Sequence, residues 1–205
     1  MKTLIKLSWR NLWRNKRRTV ITIASIFFAV ILAIVMRSMQ EGSYEQMINN
    51  TVKYHTGYIQ IHKKGYWEEK TIDYAMEQND SLNNAIAEME NVKTVIPRLE
   101  SFALASSGNV TRGVSVVGTI PEKENELTLL KEKLVRGDYL KPNDGGVMIG
   151  QGLADYLQLE LTDTLVMISQ GYHGVSAYGK YPVRGILKFP SPEQNKSRVY
   201  MTLDE

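Results

Sequence analysis

Between Thr19 and Met36 the chain carries no charged residue, and eleven of these eighteen positions are Val, Ile, Leu or Phe. At about −0.3 to −0.6 kcal/mol each on the insertion scale, they contribute roughly −3 to −7 kcal/mol towards a membrane-spanning helix. Thr19, Thr22 and Ser25 offset little of this, because a hydroxyl in a helix can bond back to a carbonyl one turn earlier. Eighteen residues rising ~1.5 Å each reach ~27 Å, close to the hydrocarbon thickness of a bilayer. The run therefore predicts a transmembrane helix over 19–36. Upstream lie Lys2, Lys6, Arg10, Arg14, Lys16, Arg17 and Arg18 with no acid among them, whereas Arg37 and Lys53 downstream are balanced by Glu41 and Glu45. The positive-inside bias then puts the N-terminus in the cytoplasm and the rest of the chain outside. A cleaved signal peptide would need a shorter apolar region and a small-x-small site. Val-Met-Arg-Ser-Met-Gln follows from Val35 instead, so an uncut signal anchor is the preferred reading.

The formal charge of +3 divides unevenly along the chain. Residues 1–18 hold seven basic and no acidic residues, which leaves 18 basic against 22 acidic residues for the remainder. The basic character belongs to the cytoplasmic end, and a mildly acidic remainder argues against a nucleic-acid partner. Cysteine is absent, so neither disulfides nor thiol catalysis enter.

Within residues 1–18, Leu4, Ile5, Trp9, Leu12 and Trp13 recur at helical spacing among the cations. A basic amphipathic helix with two tryptophans fits a segment in the headgroup plane. Trp9, Arg10, Trp13, Arg14, Lys16, Arg17 and Arg18 are the candidate membrane-interface residues. Residues 37–55 are polar with apolar points at Met39, Tyr44, Met47, Ile48 and Val52 and contain no proline, so the helix is expected to continue as a stalk. The remaining residues, 56–205, predict one α+β domain with a mixed sheet and a few covering helices. A strand is expected over Tyr58–His62, and a helix from Asp80 or Ser81 with Asp80 as N-cap and Leu82, Ala85, Ile86 and Met89 as buried stripe. Strands follow over 94–105 and 113–119, then a solvated acidic stretch (Glu122, Glu124, Glu126) and a short helix over 127–134. Further expectations are a strand at 147–149, a helix at 152–157, a strand at 164–169, a glycine-rich loop around 172–179, and closing strands near 181–187 and 198–201.

No catalytic pattern emerges. His55, His62 and His173 form no i, i+4 pair and have no cysteine nearby, so no metal site follows from spacing. Gly108 and Gly113 have the spacing of a phosphate loop, but Val114 stands where its lysine belongs. No Gly-x-Ser-x-Gly occurs. The chain itself is expected to be non-catalytic and without cofactor or metal.

The stretch Leu7-Ser-Trp9-Arg10-Asn-Leu12-Trp13-Arg14-Asn-Lys16-Arg17-Arg18-Thr19 resembles the opening of FtsX-like ABC-transporter permeases of the lipoprotein-releasing and MacB-like type. The likeness continues through Gly113–Gly118 with Pro121, through Val135-Arg136-Gly137 and Val147–Gly150 with Leu153-Ala154 and Leu157, and into Val183–Ile186 and Val199–Met201. Thr162-Asp163 departs from the Gly-Asp of many members. The resemblance implies a MacB-like periplasmic core domain behind the first transmembrane helix, in the bacterial cytoplasmic (inner) membrane. Three later membrane helices are expected in such a permease and lie outside these residues. It further implies a separate cytoplasmic ATPase binding ATP and Mg, a second permease subunit (identical or not), contact with membrane lipid, and export or release of a lipoprotein, lipid or other substrate. Some permeases of this kind regulate cell-wall enzymes instead. Two other readings stand beside it: a signal-anchored extracytoplasmic binding domain without transport activity, and a tethered hydrolase, for which no nucleophile is found.

Overall fold

The computed structural model describes residues 2–48, 57–69, 71–77 and 79–205. They fall into two compact units, Met1–Val52 and Lys53–Glu205. The first unit is two helices, α1 (Lys2–Arg14) and α2 (Lys16–Ile48). Thr22 Oγ1 and Ser25 Oγ donate to the carbonyls of Arg18 and Ile21, 3.0 and 2.8 Å away, so both hydroxyls are satisfied within the helix. The stalk expected over 37–55 is helical as far as Ile48, with an Arg37–Glu41 pair at 3.3 Å; its residues 49–55, including Val52 and His55, lie outside the described residues.

The second unit is built on a mixed sheet of seven strands: β1 (Arg98–Ser107), β2 (Val110–Thr119), β3 (Leu134–Gly137), β4 (Val147–Gly150), β5 (Thr164–Gln170), β6 (Ser176–Leu187) and β7 (Arg198–Thr202). The order is β3-β6-β4-β7-β2-β1-β5, and β6 also pairs with β5, so the order closes on itself. The twelve-residue β6 makes this possible: 176–182 pair with β5 while 183–187 pair with β4 and β3. β1 and β2 form a hairpin whose two-residue turn places Gly108 at φ +55, a conformation open to glycine at little cost. The β2–β7 and β4–β6 pairs are parallel and the others antiparallel.

One core lies between a sheet face and helices α6 (Gln151–Leu157) and α7 (Pro192–Ser197), where Ala105, Val147, Ile149, Leu153, Leu165, Val183 and Val199 are fully enclosed. Gly150 lets α7 approach, since a Cβ there would collide with the carbonyl of Asn195. A second core gathers Val117, Leu130, Leu140, Met148, Leu187, Phe189 and Tyr200, beside α5 (Pro121–Thr128) and the 3-10 turn Leu130–Lys133. The α+β mixed-sheet class expected from the sequence is the one observed.

Several local expectations are corrected. Tyr58–His62 forms no strand: the residues join no ladder, and Ile59 stays 84% exposed. Alternation marks a strand only where a neighbour supplies hydrogen bonds and cover. His62, assigned to that strand, stacks instead on Tyr66 of the single-turn helix α3 (Tyr66–Glu69), 5.0 Å away and near parallel. In α4 (Asp80–Ala87) the N-cap is Asn79, whose Oδ1 accepts from the amides of Ser81 and Leu82, and Asp80 is the first helical residue. No residue of α4 is buried, so the stripe Leu82, Ala85, Ile86 and Met89 is not core. β1 starts at Arg98, four residues after the expected Thr94, because Pro97 offers no N–H to the ladder. The expected loop over 172–179 is a 3-10 turn over Tyr172–Gly174 followed by strand, since β6 begins at Ser176. The helix expected over 127–134 is replaced by α5, the 3-10 turn and β3, divided at Leu129, which takes a left-handed conformation (φ 51).

Candidate functional site

The seven candidate interface residues fall on either side of a break in the first unit. Trp9, Arg10, Trp13 and Arg14 lie on α1; Lys16, Arg17 and Arg18 open α2; all are exposed. The Trp9 and Trp13 rings, one turn apart, sit 6.1 Å from each other. Asn15 belongs to neither helix. Across the break, Thr19 Oγ1 donates to the carbonyl of Leu12 at 2.6 Å. In an unbroken helix those residues would be about 10 Å apart along the axis, so the bond requires α1 to fold away from the line of α2. Beyond the break, the Val, Ile, Leu and Phe side chains of α2 are exposed from Val20 to Val35. The apolar stretch of this helix is long enough to cross a membrane, and none of its residues is buried by the protein.

The second unit contains a polar centre that local spacing did not reveal. Glu122, Glu124 and Glu126 were expected as solvated loop charge, but they belong to α5. Residues two apart on a helix point in nearly opposite directions, about 200° around. Pro121, Glu124 and Thr128 therefore form the inward stripe, while Glu122 and Glu126 face water. Glu124 is fully buried and takes two hydrogen bonds from Arg98, Nε to Oε2 at 2.7 Å and Nη2 to Oε1 at 2.6 Å. Thr119 Oγ1 donates to the same carboxylate at 3.2 Å. Thr94 Oγ1 bonds Glu126 Oε2 at 3.0 Å, so the segment leading into β1 is tied to α5 twice. The arrangement joins the start of β1 and the end of β2 through α5. The only sequence cues were a proline opening a helix after a strand and a threonine at 119, neither specific for an ion pair.

Two tyrosines border this centre. Tyr139 donates to the carbonyl of Pro121 at 2.7 Å, and burial, reinforced by the Glu124 charge, drives its pKa strongly upward. Tyr200 is pushed up to about 12, first by burial and then by Glu124. Burial also lowers Lys133, with Glu124 opposing. An uncharged tyrosine pair around a bidentate arginine–carboxylate bridge is a structural centre: nothing in it presents a nucleophile or a displaceable ligand position.

A shallow cleft of about 330 Å³ lies against α6, with Gln151, Asp155, Gln158 and the Arg136–Glu160 ion pair on its walls. Across the open part of the sheet Leu104, Ile168 and Tyr178 stand in register on β1, β5 and β6, each at least half exposed, with Phe102 beside them. Among the described residues no group of three His, Cys, Asp or Glu side chains is placed to hold a metal ion.

Solved structures with a similar chain course include the extracellular domain of the noncanonic ABC-type transporter YknZ from Gram-positive bacteria, at 16% identity and TM-score 0.46 over 61% of this chain and 62% of that one. The periplasmic region of MacB from Actinobacillus actinomycetemcomitans matches at 15% identity and TM-score 0.46, over 69% of this chain and 62% of that one. The chain thus covers less than two thirds of either relative. No curated protein matches the sequence. A family model described as MacB-like periplasmic core domain matches residues 19–205, nearly the whole chain, and the protein belongs to that family.

Proposed function

We propose that this chain is part of the permease subunit of an ABC transporter of the bacterial cytoplasmic membrane. In this reading α2 spans the membrane over 19–36 with the N-terminus in the cytoplasm, 37–55 is a stalk, and 56–205 is the extracytoplasmic domain. A separate cytoplasmic ATPase binds ATP and Mg, a second permease subunit completes the pathway, and movement of the domain exports or releases a lipoprotein, lipid or other substrate. The supporting observation is the uncovered apolar helix, preceded by seven cations without an acid, followed by a charge-balanced segment, and continuous in sequence with a family domain that is periplasmic by description.

The absence of cysteine makes the topology directly testable. Lys2→Cys and Ser176→Cys chains, expressed separately, are exposed to a membrane-impermeant maleimide before and after lysis. Labelling of Ser176→Cys in intact spheroplasts, with Lys2→Cys protected until lysis, is the expected result; the reverse pattern overturns it. If the topology holds and no ATPase copurifies with the complete protein, the signal-anchored interaction domain becomes the better reading.

A further inference from the structure

The cations of α1 are placed more regularly than membrane anchoring alone requires. Lys2, Lys6, Arg10 and Arg14 recur at strict intervals of four, so they form one continuous row that turns by only about 40° per member. Like charges at this spacing repel and weaken a helix. Lys16, Arg17 and Arg18 then occupy the first turn of α2, where the helix dipole favours anions over cations. No acid offsets any of these seven charges: the first Asp or Glu in the chain is Glu41. Among the described residues none of the seven forms an ion pair, so the row presents its charge to a partner surface. Beside the cation row runs an apolar row, Ile5, Trp9 and Trp13, displaced by one residue, with Leu12 next to it, and every one of these side chains is exposed.

We propose that α1 lies in the headgroup plane of a membrane leaflet rich in anionic phospholipid, the Lys2-Lys6-Arg10-Arg14 row on the headgroups and the Trp9-Trp13 row in the acyl boundary, and that it releases from a zwitterionic surface. The fold at Asn15, held by the Thr19–Leu12 bond, turns α1 off the axis of α2, as a helix lying flat beside a crossing helix requires. Two amphipathic rows of this kind match a lipid surface because indole rings settle at the headgroup level while cations meet the anionic charge. The inference rests on α2 spanning the membrane.

The test uses the full chain carrying Trp67→Phe, which leaves Trp9 and Trp13 as its only tryptophans, reconstituted into vesicles of phosphatidylcholine or of phosphatidylcholine with phosphatidylglycerol. Resistance to alkaline carbonate extraction establishes insertion; a chain that extracts overturns the spanning reading itself. For an inserted chain, quenching by brominated acyl chains reports whether α1 is docked. Strong quenching in the anionic vesicles, weak quenching in pure phosphatidylcholine, and reversal at about 1 M salt are expected, since the Debye length there is only ~3 Å. Replacing one cation by Gln lowers the docked-to-free ratio by about fivefold. The chain with Lys2, Lys6, Arg10 and Arg14 all changed to Gln loses the lipid dependence. Equal quenching in both lipids, or an unaltered response in the fourfold variant, overturns the proposal and hands the cation row to an acidic protein surface. Running the same lipid comparison on the natural chain against a Trp9→Phe, Trp13→Phe chain gives the answer even if Trp67→Phe does not fold.

Discussion

The Arg98–Glu124 bridge shows how much one residue's environment alters the meaning of its charge. Removing two ions from water is costly, and the bidentate geometry and the Thr119 hydrogen bond offset that cost. Truncating one partner strands the other. Glu124→Leu or Arg98→Met alone should destabilise the second unit by about 3–5 kcal/mol, while the double variant should recover much of that loss. Chemical unfolding of the full chain in detergent, followed by the near-ultraviolet signal, measures the three differences. Additive losses would show that the two side chains do not act as a pair. The sequence could not have announced this bridge. Its partners are 26 residues apart, and Glu124 is indistinguishable from Glu122 and Glu126 until the period of the segment is known.

At the level of elements, legibility follows the presence of a covering partner. The strands at 147–150, 164–170 and 198–202 were readable because both their composition and their boundaries reflect burial, as does helix 151–157 with its Leu153, Ala154 and Leu157. Tyr58–His62 and α4 carry the right periodicities without the burial those periodicities normally record. α7 was missed although Ser191-Pro192-Glu193 is a helix-start signal, with Ser191 Oγ accepting from the amide of Gln194, because six residues are too few for a period to appear. The layer under α5 has its own signature in pH. Tyr200 titrates at about 12 in the fold and near 10 unfolded, so the folded state holds its proton longer. Its contribution is fully present below pH ~10 and is lost as the pH rises towards about 12. Tyr139 acts in the same direction. The resulting loss for Tyr200 is about 2–3 kcal/mol, and Tyr200→Phe should remove it from the alkaline slope of stability. Unfolding midpoints at neutral and strongly alkaline pH for the natural chain and the variant decide the point; an identical slope would show that Tyr200 is not protected by its surroundings.

For the whole molecule, the feature with most bearing on function is that α2 is longer than a bilayer needs. Its 33 residues reach about 50 Å, against a hydrocarbon core of about 30 Å, and the excess from Arg37 to Ile48 remains regular helix. A helix that merely anchored a domain would gain nothing from continuing through twelve further residues, all of them exposed. A rigid rod that transmits displacement would. The two uses separate when rigidity is removed and attachment kept. Inserting Gly-Pro after Met47 breaks the ladder of hydrogen bonds at a cost of about 3 kcal/mol or more, and leaves both units chemically connected. On the proposed function, in which the complete protein works with a separate ATPase, assembly and ATP hydrolysis should persist in this variant while export falls. Export at the natural rate would show that α2 is a tether and that the domain moves without being pushed from the membrane.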